Sequence, residues 1–386
     1  MLRTLDLFSG CGGLSYGLAQ AGYNIIAACE KDNWASETYT YNHPDVEMIC
    51  QDIRDISLDF WRDKYNGKID LIAGGPPCQG FSISGKRQYG IISETNSLVT
   101  NFINVVSVVE PTFVLIENVK GFKTGSLSKD KKVFDYLLLT LEALGYHVYH
   151  DTINAEDYGV PSLRSRVFII GSKIELLKPP FPSKTHLVSV DEAISDLPFL
   201  EANEGIEGLV RYNNKPENDY QKKMREGSFG VFNHVSMKHT QRLVDRFKTI
   251  PQGEGSYRLG RKNNSGEIVT VYKMNNQRLK SNKPAQCITA NFQSTFIHPI
   301  QHRNLTAREA ARLMGFPDRF IFKGKRTQMS SKFLKKYNRE HEDFLSQYNQ
   351  IGNSVPPLLA ELIGSSLLNS IPRDFFSSFK MDKNSI

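Results

Sequence analysis

Ile69-Asp70-Leu71-Ile72-Ala73-Gly74-Gly75-Pro76-Pro77-Cys78-Gln79-Gly80-Phe81-Ser82 runs from an apolar stretch straight into a turn that carries a cysteine. A short apolar run of this kind reads as a buried strand of a parallel sheet. Ligands and chemistry in open α/β sheets gather at the carboxyl ends of such strands. Cys78 therefore stands where nucleophiles are usually put. A lone cysteine is more often a small buried hydrophobe. Here the two prolines and the following Gln79-Gly80-Phe81-Ser82 favour a rigid, polar, exposed turn instead.

Outward from this stretch, strand and helix patterns alternate as far as residue 171. Strands are expected at residues 2–8, 24–29, 69–73, 112–116, 146–152 and 167–171, and helices at 14–21, 97–109 and 131–144. Alternating units of this type imply an α/β fold with a doubly wound, mostly parallel sheet and helices on both faces. The proline cluster Lys178-Pro179-Pro180-Phe181-Pro182 breaks the pattern and reads as a domain boundary. Residues 1–180 are expected to form a catalytic and cofactor-binding domain, completed by residues 346–386. Residues 181–303 are polar and irregular, with strand-like pieces at 268–273 and 286–290, and read as a smaller second domain. Residues 304–345 are expected to hold an interdomain helix and a basic connection. Thr306 and Glu309 make a capping box that starts a helix at 307–314, stopped by Gly315 and Pro317. An apolar helix at 358–368 closes the pattern.

The chain has 386 residues, enough for two domains. No apolar stretch approaches the roughly 20 residues of a membrane span, and the start of the chain enters a strand pattern at once, unlike a signal peptide. The five cysteines are odd in number and form no CxxC pair. This suggests a reducing cytoplasm and no disulfide framework. The nine histidines lack zinc-ligand spacing with them, so no metal is expected. Net charge is +7, and Lys and Arg thicken after Lys238 and again between Arg319 and Arg339. A basic second half suits a polyanion such as DNA, or else a solvated surface.

Asp6-Leu7-Phe8-Ser9-Gly10-Cys11-Gly12-Gly13 joins the first strand to the first helix, where glycines allow close backbone approach to a ligand. A dinucleotide site wants G-x-G-x-x-G, and Ser15 occupies the third glycine position. That disfavours a nicotinamide oxidoreductase. Glu30 ends the second strand about 20 residues on, where an acid suits ribose hydroxyls. Asp52 follows at a position suited to an adenine amino group. Arg164 and Arg166 lie two apart just before a strand, a spacing that points both to one face.

These stretches resemble the DNA (cytosine-5) methyltransferases of the bacterial restriction–modification type. The resemblance rests on the residue 5–14 loop, the Cys78 turn, Leu115-Ile116-Glu117-Asn118-Val119, Arg164-Ser165-Arg166 and Gln350-Ile351-Gly352-Asn353-Ser354-Val355-Pro356, in this order. It implies S-adenosyl-L-methionine as cofactor, held by Phe8, Gly10, Cys11, Gly13, Glu30, Asp52, Ile53, Pro76, Leu98, Asn353 and Ser354. Lys31 stands where the family often has an apolar or aromatic residue, and Ser162 where it usually has glutamine.

The resemblance also implies Cys78 as the nucleophile that adds to cytosine carbon-6 and Glu117 as the acid at ring N3. Arg166 would meet the cytosine O2, and Arg164 would support the carboxylate or a phosphate. Gln79, Ser82 and Ser84, with Lys86 and Arg87 in the same loop, would approach a base flipped out of duplex DNA. Residues 181–303 would be the target-recognition domain, with Arg258 and Arg278 as expected base readers by side-chain type alone. A monomer paired functionally with a restriction endonuclease is the expected setting. A transfer-RNA methyltransferase of the same architecture is the alternative, because Glu117-Asn118-Val119-Lys120-Gly121-Phe122 is similar to that subgroup too. A catalytically silent DNA-binding regulator is a further alternative, opposed by the intact Cys78, Glu117 and Arg166.

Overall fold

The computed structural model describes residues 1–77, 94–128, 131–256, 275–328 and 331–376, together with residues 261–262, 265 and 268–269. Cys78, Gln79, Ser82, Ser84, Lys86, Arg87 and Arg258 lie outside the described residues.

Seven strands form the central sheet: β1 (Arg3–Leu7), β2 (Asn24–Cys29), β3 (Glu47–Ile49), β4 (Leu71–Gly74), β5 (Phe113–Val119), β6 (His147–Asn154) and β7 (Ser165–Ser172). Their order is β3-β2-β1-β4-β5-β7-β6. All run parallel except β7, which lies antiparallel to both β5 and β6. The reversal brings the start of β7 beside the end of β5, with Arg166 opposite Val119.

Five helices flank the first strands: α1 (Gly13–Gln20), α2 (Asn33–Asn42), α3 (Leu58–Tyr65), α4 (Glu94–Val109) and α5 (Val133–Ala143). Period-two alternation sends neighbouring strand residues to opposite faces. Ile72, Val114 and Ile116 pack with Trp61, Phe102 and Leu137 of α3, α4 and α5. Leu71, Phe113 and Leu115 pack on the other face with Leu14 and Leu18 of α1. Both faces of the sheet are thus covered, as the doubly wound reading expects.

The segment after residue 180 holds more helix than its sequence suggests: α6 (Val190–Ile194), α7 (Asp219–Arg225) and α8 (Gln241–Lys248). Ser189 and Glu192 make a capping box for α6, and the Asn218 side chain caps α7. Residues 286–290 are not a strand; only Ala285 bridges, to Ser162. Four helices complete the chain: α9 (Ala307–Leu313), α10 (Ser331–Lys336), α11 (Gln347–Asn353) and α12 (Pro357–Leu368). The Thr306–Glu309 capping box forms as expected at α9.

α9 is the centre of a second core, where Ala310, Leu313 and Met314 meet Ile194, Met224, Phe320 and Tyr348. α12 returns to the first domain and lies on α1. The approach is so close that a Cβ on Gly17 would sit 2.2 Å from the Pro357 carbonyl oxygen. No helix among the described residues is long and apolar enough to cross a membrane.

Candidate active site

A cleft of about 440 Å³ opens at the carboxyl ends of β1 to β5. The loops that leave β1 to β4 supply Phe8, Glu30, Asp52 and Pro76, the end of β5 supplies Glu117, and the far end of the chain supplies Gly352 to Val355. Of the residues expected to hold a cofactor, Phe8, Gly10, Cys11, Glu30, Asp52, Ile53, Pro76, Leu98, Asn353 and Ser354 all line it. Gly13 does not. It faces the returning loop, where a Cβ would meet Ser354 Oγ at 2.1 Å and the Val355 carbonyl oxygen at 2.4 Å. Its glycine is needed for that close packing. Phe8 sits in the left-handed region at φ 58, a conformation that side chains adopt only under constraint.

Five carboxylates line the cleft: Asp6, Glu30, Asp32, Asp52 and Glu117. The Glu30 oxygens accept from the backbone N–H groups of Gly10 and Asp32, both at 2.9 Å. Burial nevertheless raises its pKa. Asp52 accepts from Arg54 Nε and Nη2 at 3.0 and 2.8 Å, and Lys31 Nζ lies 3.5 Å away. The Arg54 bonds hold its pKa down at about 2. Lys31 thus takes part at the rim despite departing from the family's usual residue type.

Asp6 is the site residue that sequence reasoning passed over. It is fully buried, and its Oδ2 accepts a 2.6 Å bond from Ser15, whose oxygen in turn accepts from Tyr39 at 2.8 Å. Ser15 therefore serves a hydrogen-bonded relay where a dinucleotide fold would want glycine. Asp6 Oδ1 lines the cleft without a hydrogen-bond partner. Burial lifts the Asp6 pKa from 3.8 to about 7, with the Ser15 bond working against the shift and the Glu30 charge adding to it.

A carboxyl whose folded pKa is raised leaves stability intact below its unfolded pKa and removes it as pH rises towards the folded one. The loss is about 4 kcal/mol for such a shift. Asp6→Asn is therefore expected to raise the melting temperature of the ligand-free enzyme at pH 8, with no gain near pH 4. A variant that melts no higher than wild type at pH 8 would overturn this account.

The chemical end of the cleft is built on β5. Glu117 is 8 % exposed, and its Oε1 lies 2.9 Å from Arg166 Nε. This ion pair holds Oε1, which is buried and has no hydrogen bond. Asn118 donates to the Pro76 carbonyl at 2.9 Å while its own oxygen accepts from the Val119 N–H. This buried amide ties the end of β5 to the turn that leads into Cys78.

The two arginines were expected on one face, and they separate. Arg166 partners the carboxylate, the part expected of Arg164. Arg164 is buried and donates to the carbonyls of Ile288, Gly352 and Ser354 at 2.9, 3.0 and 2.8 Å. It forms no hydrogen bond to Glu117, so it is a positioning residue for the end of α11. Arg164 precedes β7 rather than lying in it, which frees it from the strand's alternation.

Arg278 is no base reader. It is 4 % exposed, and its guanidinium donates to the carbonyls of Phe247, Ile250, His298 and Gln301. It braces the segment after residue 180 from inside. Cys11 is buried too, its thiol pKa pushed up to about 12 by burial, so it is not a second nucleophile.

The sheet order, its one reversed strand and a cleft at the carboxyl ends define the Rossmann-like fold of the S-adenosylmethionine-dependent methyltransferases. Residues 2–369 match the C-5 cytosine-specific DNA methylase family, and the chain belongs to it. It is a DNA (cytosine-5) methyltransferase of the bacterial restriction–modification type. It is 41% identical to the Type II methyltransferase M.DdeI of Desulfomicrobium norvegicum, over 99% of this chain and 96% of that one. Identity to the Type II methyltransferase M1.HphI of Haemophilus parahaemolyticus is 32%, over 95% and 87% of the two chains. The crystal structure of a prophage-encoded DNA modification methyltransferase of E. coli superposes with a TM-score of 0.74 at 26% identity, covering 96% and 99%. The S. pombe Dnmt2 methyltransferase shares the fold, with a TM-score of 0.56 at 20% identity and coverage of 96% and 99%. Membership of a DNA-modifying family disfavours the transfer-RNA alternative.

Proposed function

We propose that this enzyme methylates carbon-5 of a cytosine flipped out of a specific duplex DNA sequence, with S-adenosyl-L-methionine as donor. The observation that carries the reading is the convergence on one cleft of buried polar atoms that make no hydrogen bond. Asp6 Oδ1, Ser9 Oγ, Glu117 Oε1 and Arg164 Nε all lack hydrogen bonds and all belong to residues lining it. Buried polar groups are otherwise nearly always satisfied. The acids at the donor end suit a cationic cofactor. Phe8, Ile53, Pro76 and Leu98 would take its adenine, Glu30 its ribose, and Asp6, Asn353 and Ser354 its amino-acid part. When bound, the cofactor supplies a methyl group on a sulfonium.

The chain's own residues make carbon-5 reactive. Cys78, as the thiolate, adds to carbon-6 of the ring. The displaced electron pair is accommodated at N3, where Glu117 delivers a proton or hydrogen bond. Arg166 stands beside that carboxyl and would meet the cytosine O2. After carbon-5 takes the methyl group, a base removes its proton and the Cys78–carbon-6 bond breaks, restoring the ring. Gln79, Ser82, Ser84, Lys86 and Arg87 would hold the flipped nucleotide and its neighbours. The Type II relatives support pairing with a restriction endonuclease that cuts the same sequence.

The test is transfer of label from S-adenosylmethionine to unmethylated duplex DNA, with transfer RNA alongside and bisulfite sequencing of the product. Label in DNA at one recurrent cytosine context is expected. Label in RNA alone, or in adenine, would refute the proposal.

A further inference from the structure

Residues 319–326 leave α9 and run between the catalytic sheet domain and the recognition segment, and their bonds alternate between the two. Arg319 Nε donates to the Tyr16 hydroxyl of α1 at 2.6 Å, while Nη1 donates to the Glu226 carbonyl beyond α7. Ile321 is gripped twice by Asn42 at the end of α2: its N–H donates to Oδ1 at 2.9 Å, and its carbonyl accepts from Nδ2 at 2.8 Å. Phe322 is gripped in the same way by Asn233 of the recognition segment, at 2.9 and 3.0 Å. Lys323 turns back to the catalytic side, its N–H donating to Thr38 Oγ1 at 2.8 Å and its carbonyl accepting from Gln350 at 3.2 Å. Arg326 then donates to the Ser236 carbonyl at 3.0 Å.

This is the bonding pattern of a central β-strand, whose successive residues offer their N–H and C=O to opposite neighbours. Here side-chain amides replace the neighbouring strands, since an asparagine carries the same donor and acceptor as a peptide group. The side chains follow the same alternation. Phe320 and Phe322 are buried in the core around α9, and Lys323 lies over the Tyr41 ring of α2 at 3.6 Å. Asn233 holds its grip from the left-handed region, at φ 58, which asparagine tolerates better than most residues.

We propose that residues 319–326 are a hinge pin that fixes the recognition segment against the catalytic domain, with Asn42 and Asn233 as its positioning residues. The pin sets the spacing between the two walls that duplex DNA must touch together. It does not form the cofactor pocket, which none of residues 319–326 lines. The proposal rests on duplex DNA being the substrate.

The experiment compares wild type with Asn42→Leu, which keeps the side-chain bulk and removes the grip, and with Asn233→Gly, which removes it from the other side. Each is expected to raise KM for duplex DNA about tenfold. KM for S-adenosylmethionine should stay within about twofold of wild type. A merely structural role would move both constants together, and that result, or an unchanged DNA KM in a folded variant, overturns the proposal.

Hydrogen exchange on the wild type provides an arm that needs no variant. The amides of Ile321, Phe322 and Lys323 should be protected far beyond exposed loop amides, and exchange at loop rates refutes the pin. Wild type that methylates no duplex DNA would instead count against the substrate reading, leaving the exchange result to judge the pin.

Discussion

A Cys78→Ser enzyme is expected to bind S-adenosylmethionine as wild type does and to transfer no methyl group above background, while Glu117→Gln loses about 10²- to 10⁴-fold in kcat. The two effects have different origins. Serine's hydroxyl is far less acidic than a thiol, so it supplies almost no nucleophile at neutral pH. Glutamine keeps the shape of Glu117 but can neither carry the acid proton nor pair with Arg166, whose Nε lies 2.9 Å from Oε1. The geometry leaves little room for relief, because Gly75 passes so close that a Cβ there would lie 3.3 Å from Glu117 Oε2. Asn118 also fixes the Pro76 carbonyl to the same strand end. Single-turnover transfer of label, beside equilibrium cofactor binding, separates chemistry from binding. Glu117→Gln within threefold of wild type would remove Glu117 from the chemistry. A Cys78→Ser enzyme with measurable turnover would rule out the covalent route.

Much of this site was legible because its backbone geometry demands particular residues. The glycines after β1 and the prolines after β4 appear in sequence as a loop that approaches a ligand, and the cleft lies there. The acids at Glu30 and Asp52 follow from their strand-end positions in the same way. Asp6 was invisible because its setting depends on Ser15 of α1, which bonds it and is itself bonded by Tyr39 of α2. Helix α2 was missed because its buried face is Ala35, Ser36, Thr38 and Tyr39, small and hydroxyl-bearing rather than apolar. Only its cap, Asp32, carried a usable signal. The reversed strand β7 reads like any other apolar run, since pairing direction leaves no mark on a strand buried on both faces. Arg278 illustrates the converse error. An arginine in a basic segment suggests DNA, yet the carbonyls that claim it come from residues 20 to 31 positions away. Charge type is local information, and burial is not.

Arg312→Met is expected to destabilise the enzyme by about 3–5 kcal/mol, the range for breaking one partner out of a buried ion pair. Arg312 projects from α9 with no exposure. It donates to both Asp318 oxygens at 2.6 Å and reaches Asp196 Oδ1 at 3.1 Å. Asp196 is shared with Arg225 at 2.6 Å, the Arg225 guanidinium lies 3.8 Å over the Tyr212 ring, and the Tyr212 hydroxyl donates to Asp318. The groups close a ring that joins α6, α7 and α9. Burial disfavours the Arg312 charge, but Asp318 and Asp196 outweigh it and raise the pKa. Methionine fills much the same space and leaves Asp318 buried without its nearest cation and Asp196 with Arg225 alone. If that uncompensated charge is the cause, adding Asp196→Asn and Asp318→Asn should restore much of the lost stability. An apolar or neutral ring is often as stable as a charged one. Denaturant midpoints of the single and triple variants decide it. A triple variant as unstable as Arg312→Met would mean that packing around α9, rather than charge, holds α7 to α9.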